Sequence, residues 1–389
     1  TPTTVPVATP TTLSTTVPTL KPVVIGMLLV GPYNDQGWSQ ATYEGAKYVT
    51  SHLAGSQLIY TDKVNTSDRP GTTTIQVADD LVSRGADIII FNSDDFKDDV
   101  FAFAQAHPDI PVIWLSGDYA WKDGQDYKSL PNEADIMGRI EYMKMIAGCA
   151  AALTTQTGKI GFLGPLINFE TRRLAASAYL GAEYCWKNYR NETTPLQFQV
   201  NWIGFWFNIP GFTSDPNVVA DDFYNSGFDV VISGIDTTEA LTEAAKAQTE
   251  GRQVYAVSYD YKGGCDSNPQ ACLGVPYFNW GPSLLQQVTD IVSGVFQPSF
   301  TWAGPDWTNI NNPDTSAVGF EKGQGLSASN SALLDKFIDE LANGLDLWTG
   351  PLNLQDGTQY VADGVAATNV QIWYLPQLLE GMEGQSVPK

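Results

Sequence analysis

Indole, carboxylate and amide side chains gathered behind an apolar run are the first chemistry legible in this chain. In "GPYNDQGWSQATYEGAKYV", residues 31–49, the residues Asn34, Asp35, Trp38, Ser39 and Gln40 follow at once on the apolar "PVVIGMLLV". An ordinary surface turn is built from Gly, Pro and short polar residues. An indole beside an acid and an amide suits the wall of a site that holds a flat, polar, neutral molecule. The same chemistry recurs after other apolar runs. Asn92, Ser93, Asp94 and Asp95 follow "DIIIF"; Gly117, Asp118 and Tyr119 follow "VIWLS". Further on stand Trp206 and Asn208, Gly234 and Asp236, and Ser258 and Asp260. Aromatic faces stack on a ring at about 0.5–1.5 kcal/mol beyond area burial, and carboxylates accept from ring N–H groups and sugar hydroxyls. A structural use competes with this one: Asp95, Asp215 and Asp236 precede helical patterns and suit N-caps, while Trp38 and Trp206 could be core residues.

Catalytic patterns are weak by comparison. His52 sits near the end of a helical stretch and His107 precedes Pro108, so neither is placed to serve a serine nucleophile. No phosphate loop is present, and the glycines of "GKIGFLGPL" lack dinucleotide spacing. Asp94 and Asp95 are adjacent, and neighbouring acids usually diverge rather than share a glycoside. The expectation is a binding protein, with no enzyme activity and no cofactor.

The elements that must position these residues alternate. "VVIGMLLV", "QLIYTD", "DIIIFNS" and "PVIWLS" read as buried strands, and "SQATYEGAKYVTSHL", "GTTTIQVADDLVSRGA" and "DDVFAFAQAHP" between them have helical spacing. A long helix is expected over "EADIMGRIEYMKMIAGCAAALTTQTG". The alternation then resumes with strands "KIGFLGP", "FQVNWIGFW", "FDVVISG" and "QVYAVSYD", separated by helices. Repeated βαβ units make parallel sheets covered on both faces. Ligands of such sheets sit beyond the carboxyl ends of the strands, where the acids, amides and indoles recur. A final segment after Pro298 is richer in Gly, Trp and Asn.

The chain has 389 residues, too long for one compact core and suited to two lobes. Its 43 acids against 21 bases give a net charge of −22, a field that repels nucleic acid and anionic membranes. No apolar run approaches the roughly 20 residues of a spanning helix. Residues 1–21 hold nine Thr and four Pro and read as an extended linker or arm. A protein cut from a secreted precursor, extracellular or at the cell surface and lipid-anchored or free, is the expectation. The four cysteines, Cys149, Cys185, Cys265 and Cys272, form no CxxC pair. Two disulfides or four buried thiols both fit. Cys265 and Cys272 bracket the loop-like "DSNPQA", whereas Cys149 and Cys185 can pair only if two helices pack together.

The order of segments resembles the basic membrane protein family of ABC-transporter solute-binding proteins, which includes purine nucleoside receptors. The likeness rests on "NDQGWSQATYEGA", "MIAGCAAALTTQTGKIGFLG", "VVISGIDTTEA" with "VSYD", and "WTGPLNLQDGTQYVADG". It implies an α/β fold of the type I periplasmic binding protein kind: two doubly wound parallel-sheet lobes joined by three chain crossings. The lobes would comprise residues 22–128 plus 260–298 and residues 129–259 plus 299–389. Trp38 and Trp206 would replace two phenylalanines that sandwich the purine, and Asp118 would read the base. Gly234 would offer a backbone contact, Asp260 would bind ribose hydroxyls, and Asn279 in "VPYFNWG" would stand where the family has a lysine. The partners implied are a nucleoside or related heterocycle and an ABC permease. A second expectation, of a different class, is a structural subunit of the same fold that self-assembles into a polymer through residues 1–21.

Overall fold

A computed structural model describes residues 20–388. The Thr/Pro-rich segment, apart from Leu20 and Lys21, lies outside the described residues, and so does the self-assembly expected of it.

The first half alternates as its hydrophobic pattern requires. In order come β1 (Val24–Leu28), α1 (Trp38–His52), β2 (Gln57–Thr61), α2 (Thr74–Ser83), β3 (Ile88–Phe91), α3 (Lys97–Ala106), β4 (Val112–Leu115) and β5 (Glu133–Gly138). The second half repeats the scheme with α4 (Glu141–Thr154), β6 (Lys159–Gly164), α5 (Phe169–Asn188), β7 (Gln197–Trp202), α6 (Pro216–Asn225), β8 (Val230–Ser233), α7 (Glu239–Thr249), β9 (Tyr255–Val257) and β10 (Cys272–Phe278). The remainder holds α8 (Gly281–Val292), β11 (Phe300–Ala303), β12 (Val318–Lys322), α9 (Ala328–Ala342), β13 (Leu352–Asn353), β14 (Gln359–Val361), α10 (Asn369–Trp373) and β15 (Met382–Glu383).

Two large sheets result, in the orders β11-β5-β4-β3-β1-β2 and β12-β10-β9-β8-β6-β7-β15, beside a small antiparallel pair of β13 and β14. Every pairing in the two large sheets is parallel except β10 with β12. The two lobes therefore share one winding, β2-β1-β3-β4-β5 matching β7-β6-β8-β9-β10. In this order the crevice at which the chain reverses direction opens between the first and third strands of each lobe. The two-lobed α/β architecture implied by the resemblance is the one observed.

Two details of the sequence reading change. Residues 133–138, expected as the start of a long helix, are a strand with every residue buried between β4 and β11. Burial on both faces erases the period-two signal, and Phe300–Ala303, the covering partner, lies far along the chain. Lobe membership shifts with it. β5 and β11 belong to the first sheet and β10 to the second, so the chain crosses after Gly138, after Phe278 and after Ala303, rather than near residues 128, 260 and 298. The segment after Pro298 contributes strands to both sheets.

Both disulfides form. Helices α4 and α5 approach closely because Gly148 and Gly181 face each other's backbones. A Cβ on Gly148 would stand 1.8 Å from the Ala178 carbonyl oxygen, and one on Gly181 2.0 Å from that of Met145. That approach leaves the Cα atoms of Cys149 and Cys185 5.2 Å apart, and Cys265 closes its short loop onto Cys272. No helix among the described residues is long and apolar enough to cross a membrane.

Candidate functional site

The turn between β1 and α1 is organised by Asp35. Its carboxylate accepts from the backbone N–H groups of Gly37, Ser39 and Gln40, capping a helix whose own N-cap residue is glycine. Desolvation raises the Asp35 carboxyl to about 6, against these hydrogen bonds, which pull the other way. Ser39 accepts from Gly31 N–H. Asn92, fully buried, accepts from Val30 N–H at 2.9 Å and donates to Thr42 Oγ1 at 3.1 Å. The Asn92 carbonyl accepts the Trp38 indole N–H. Behind Trp38, the rings of Phe278 and Trp280 meet it edge-on at 5.1 and 5.2 Å. The loop thus serves mainly to fix one indole.

That indole lines a narrow cavity at the reversal points of both sheets. The first lobe contributes Trp38, Ser93, Asp94 and Ser116; the second contributes Phe162, Glu170, Trp206, Gly234, Asp236, Tyr259 and Asp260. The lobes are in contact beside it. A Cβ on Gly37 would fall 1.6 Å from the carbonyl oxygen of Asp236, and Asn168 donates across the gap to Asp94 Oδ2 at 3.3 Å. Trp206 and Asp236 sit on loops tied by the Asp236 N–H to Trp206 carbonyl bond of 2.9 Å. The buried Trp206 indole N–H has no partner.

Asp260 is wholly buried, its backbone is left-handed (φ 68°), and neither carboxylate oxygen has a hydrogen-bond partner. Desolvation pushes its carboxyl well above the usual range, opposed by the nearby Lys144 ammonium and reinforced by Asp35 and Glu170. Asp236 is raised well above the usual range by desolvation and then by Asp260, and desolvation lifts Glu170 to about 7. Lys144 itself is fully buried on α4. Its ammonium donates to the Ser233 carbonyl at 2.7 Å and lies 3.1 Å from the Tyr259 ring centroid. Burial lowers its pKa well below that of a free lysine. Neither Lys144 nor Glu170 was expected at the site. The one signal for Lys144 was a single cation inside the apolar "EYMKMIAGCAAAL"; Glu170 reads as an ordinary first-turn acid of a helix.

A second chamber of about 520 Å³ adjoins the first through Asp94, Ser116 and Glu170 and adds Lys97, Asp118, Asp126 and Arg173. Here Asp118 Oδ2 accepts the Tyr374 hydroxyl at 2.6 Å and the Trp373 indole N–H at 3.1 Å. Of the residues expected at the site, the cavity brings together Trp38, Trp206, Gly234 and Asp260, with Asp118 in the adjoining chamber. Asp35, Ser39 and Asn92 support its wall, and Asn34 is exposed. Asn279 lies elsewhere: its amide donates to the carbonyls of Pro313 and Ser316 on a separate cavity beside Tyr48.

Chemically, this is a slot walled by aromatic rings and edged with carboxylates, of which Asp260 lacks a donor. It suits hydrogen-bond donors on a small ring. Among the described residues no group of His, Cys, Asp and Glu is arranged to hold a metal ion.

The chain is 21% identical over 356 residues to a putative ABC transporter glucose-binding protein of Haloferax volcanii, covering 92% of this chain and 79% of that one. Its fold is similar to an ABC transporter solute-binding protein of Aeropyrum pernix (TM-score 0.64, 13% identity, covering 86% of this chain and 93% of the other). It is also similar to one of Agrobacterium vitis bound with alpha-D-tagatopyranose (TM-score 0.50, 13% identity, 72% and 93% covered). The family described as ABC transporter substrate-binding protein PnrA-like (Bmp) matches residues 22–303, a family that binds and delivers solutes rather than transforming them. On that match, the chain belongs to the PnrA-like (Bmp) family of ABC transporter substrate-binding proteins.

Proposed function

We propose that this solute-binding protein captures a neutral, nucleoside-like ligand between its lobes outside the cytoplasmic membrane and presents it, lobes closed, to an ABC permease. The observation that carries the reading is Asp260: a wholly buried carboxylate, without a protein donor, on the wall of the interlobe cavity. An unpaired buried acid costs free energy unless a ligand supplies its donors. Trp38, Phe162, Trp206 and Tyr259 supply aromatic surface for a flat ring. The adjoining chamber, with Asp118, Lys97 and Arg173, offers donors and acceptors for hydroxyls. Closure follows from the ligand touching both lobes, which favours the state in which they meet.

A monosaccharide is the second reading. It is favoured by the mixed donors and acceptors of the outer chamber and by the sugar-binding descriptions of the Haloferax and Agrobacterium proteins. Thermal-shift screening against purine and pyrimidine nucleosides and against monosaccharides tests both. A rise in melting temperature with nucleosides, lost in Asp260→Asn, supports the first reading; a rise with sugars alone replaces it with the second. No rise with either class sinks both.

A further inference from the structure

A third cavity, of about 490 Å³, shares no lining residue with the two chambers of the cleft. It forms where the chain leaves β5 for α4 and is lined by Arg139, Glu141 and Tyr142 from that crossing, Trp302 from β11, and Asp346 and Trp348 from the later segment. Residues beyond Ala303, where the family match ends, thus build part of its wall.

Its polar groups are unevenly satisfied. Glu141, 4% exposed, takes the Arg173 Nε–H on Oε1 at 2.6 Å, while Oε2 has no partner. The indole N–H groups of Trp302 and Trp348 are buried and also without partners. Arg139, by contrast, is occupied: its guanidinium lies 4.1 Å from the Trp302 ring centroid and donates to Asn369 Oδ1 at 2.9 Å. Among the buried polar groups of its lining, the Glu141 Oε2 acceptor and the Trp302 and Trp348 indole donors lack partners, and they stand beside aromatic surfaces. An anion would face Glu141 and Asp346. An ammonium group would satisfy Glu141 but leave both indoles unmet. Hydroxyl groups, each donor and acceptor at once, satisfy all three, and indole faces suit the C–H face of a saturated ring.

We propose that this hinge cavity is a second binding site, distinct from the cleft, for a small neutral polyol. The Glu141–Arg173 ion pair joins it to the cleft, since Arg173 lines the outer chamber and Glu141 the hinge cavity.

The test is fluorine NMR on the full chain labelled with fluorotryptophan, with the Trp302 and Trp348 signals assigned through Trp302→Phe and Trp348→Phe. Glycerol, myo-inositol and D-glucose serve as probes, in the native chain and in Asp260→Asn, where cleft binding is weakened. The expected result is a saturable shift of the Trp302 and Trp348 signals in both proteins, with a dissociation constant of about 10 mM or tighter. Glu141→Gln should weaken it at least tenfold. Because that change leaves Arg173 without its counter-charge, Asp346→Asn is the second variant, with a loss of about threefold or more expected. Signals that stay still, or drift linearly with probe up to about 100 mM, mean that the cavity holds only water, and the proposal falls. It falls equally if Trp38 and Trp206 alone respond, an outcome that leaves the cleft reading standing.

Discussion

Gly37→Ala is the sharpest perturbation of the closed form. In the structure the glycine lies against the backbone of Asp236 on the opposite lobe, and the added Cβ would stand 1.6 Å from that carbonyl oxygen. A carbon needs at least 3.0 Å there, so the lobes must part locally by about 1.4 Å. Backbone sits on both sides, so no side chain can rotate out of the way. Forcing one extra methyl into packed contact costs about 1–3 kcal/mol. The open form, in which the two backbones are apart, bears none of that cost. Since closure is coupled to binding, affinity should fall about 5- to 150-fold, at 1.4 kcal/mol per factor of ten. The assay pairs titration of the ligand found by thermal shift with small-angle X-ray scattering at saturation. The variant should stay more extended than the native protein under ligand and should keep its ligand-free melting temperature. Equal affinity with an identical scattering curve at saturation would show that Gly37 and Asp236 do not meet in the bound state, and the closed-lobe account would be wrong.

Asp260→Asn removes the charge-assisted hydrogen bonds expected of a bound ligand, about 1.5–3 kcal/mol for each, so binding should weaken at least tenfold. Asn tolerates the left-handed backbone, and the ligand-free melting temperature should not drop, because no protein partner is lost; a drop would reveal a structural role. Glu170, raised to about 7 from an ordinary 4.5, keeps its proton in the folded protein over a range where the unfolded chain has lost it. The contribution of Glu170 to ligand-free stability should therefore decline as pH climbs from about 4.5 to 7, by on the order of 3 kcal/mol, in addition to the like contributions of Asp35, Asp236 and Asp260. Melting curves of Glu170→Gln should show a shallower slope over this window; an unchanged slope refutes the assignment. Replacing Cys149 and Cys185 together with Ala frees a loop of sequence separation 36 and should cost about 4 kcal/mol, read as a lower urea midpoint. An unmoved midpoint would mean that the bridge contributes nothing.

How much of this was legible beforehand depended on the range of the interactions. Hydrophobic period and turn chemistry marked β1–β4, β6–β9 and most helices, since each is decided within about ten residues. The mouths of the strands were readable for the same reason, and they gave Trp38, Trp206, Gly234 and Asp260. Pairings between distant segments were not readable. β5 looks helical until Phe300–Ala303 covers it, and the crossing points lie later in the chain than the sequence suggested, most of all the second, at Phe278. Asp118 read as an open ligand acid, but its donors Trp373 and Tyr374 arrive from 255 and 256 residues downstream. Asn279 was placed by alignment to a motif, whereas carbonyls of a loop past residue 312 take its amide. Lys144 stands behind the wall, against Ser233 and Tyr259, on a helix that periodicity reads as plain core.

The segment around α10 has a mechanical consequence. Trp373 and Tyr374 are moored to Asp118 in the first lobe, while the neighbouring Leu375 carbonyl accepts Arg172 Nε–H from α5 of the second at 2.7 Å. A cable fastened at both banks sets how far they can separate: the halves either pivot on it or shed one of its moorings.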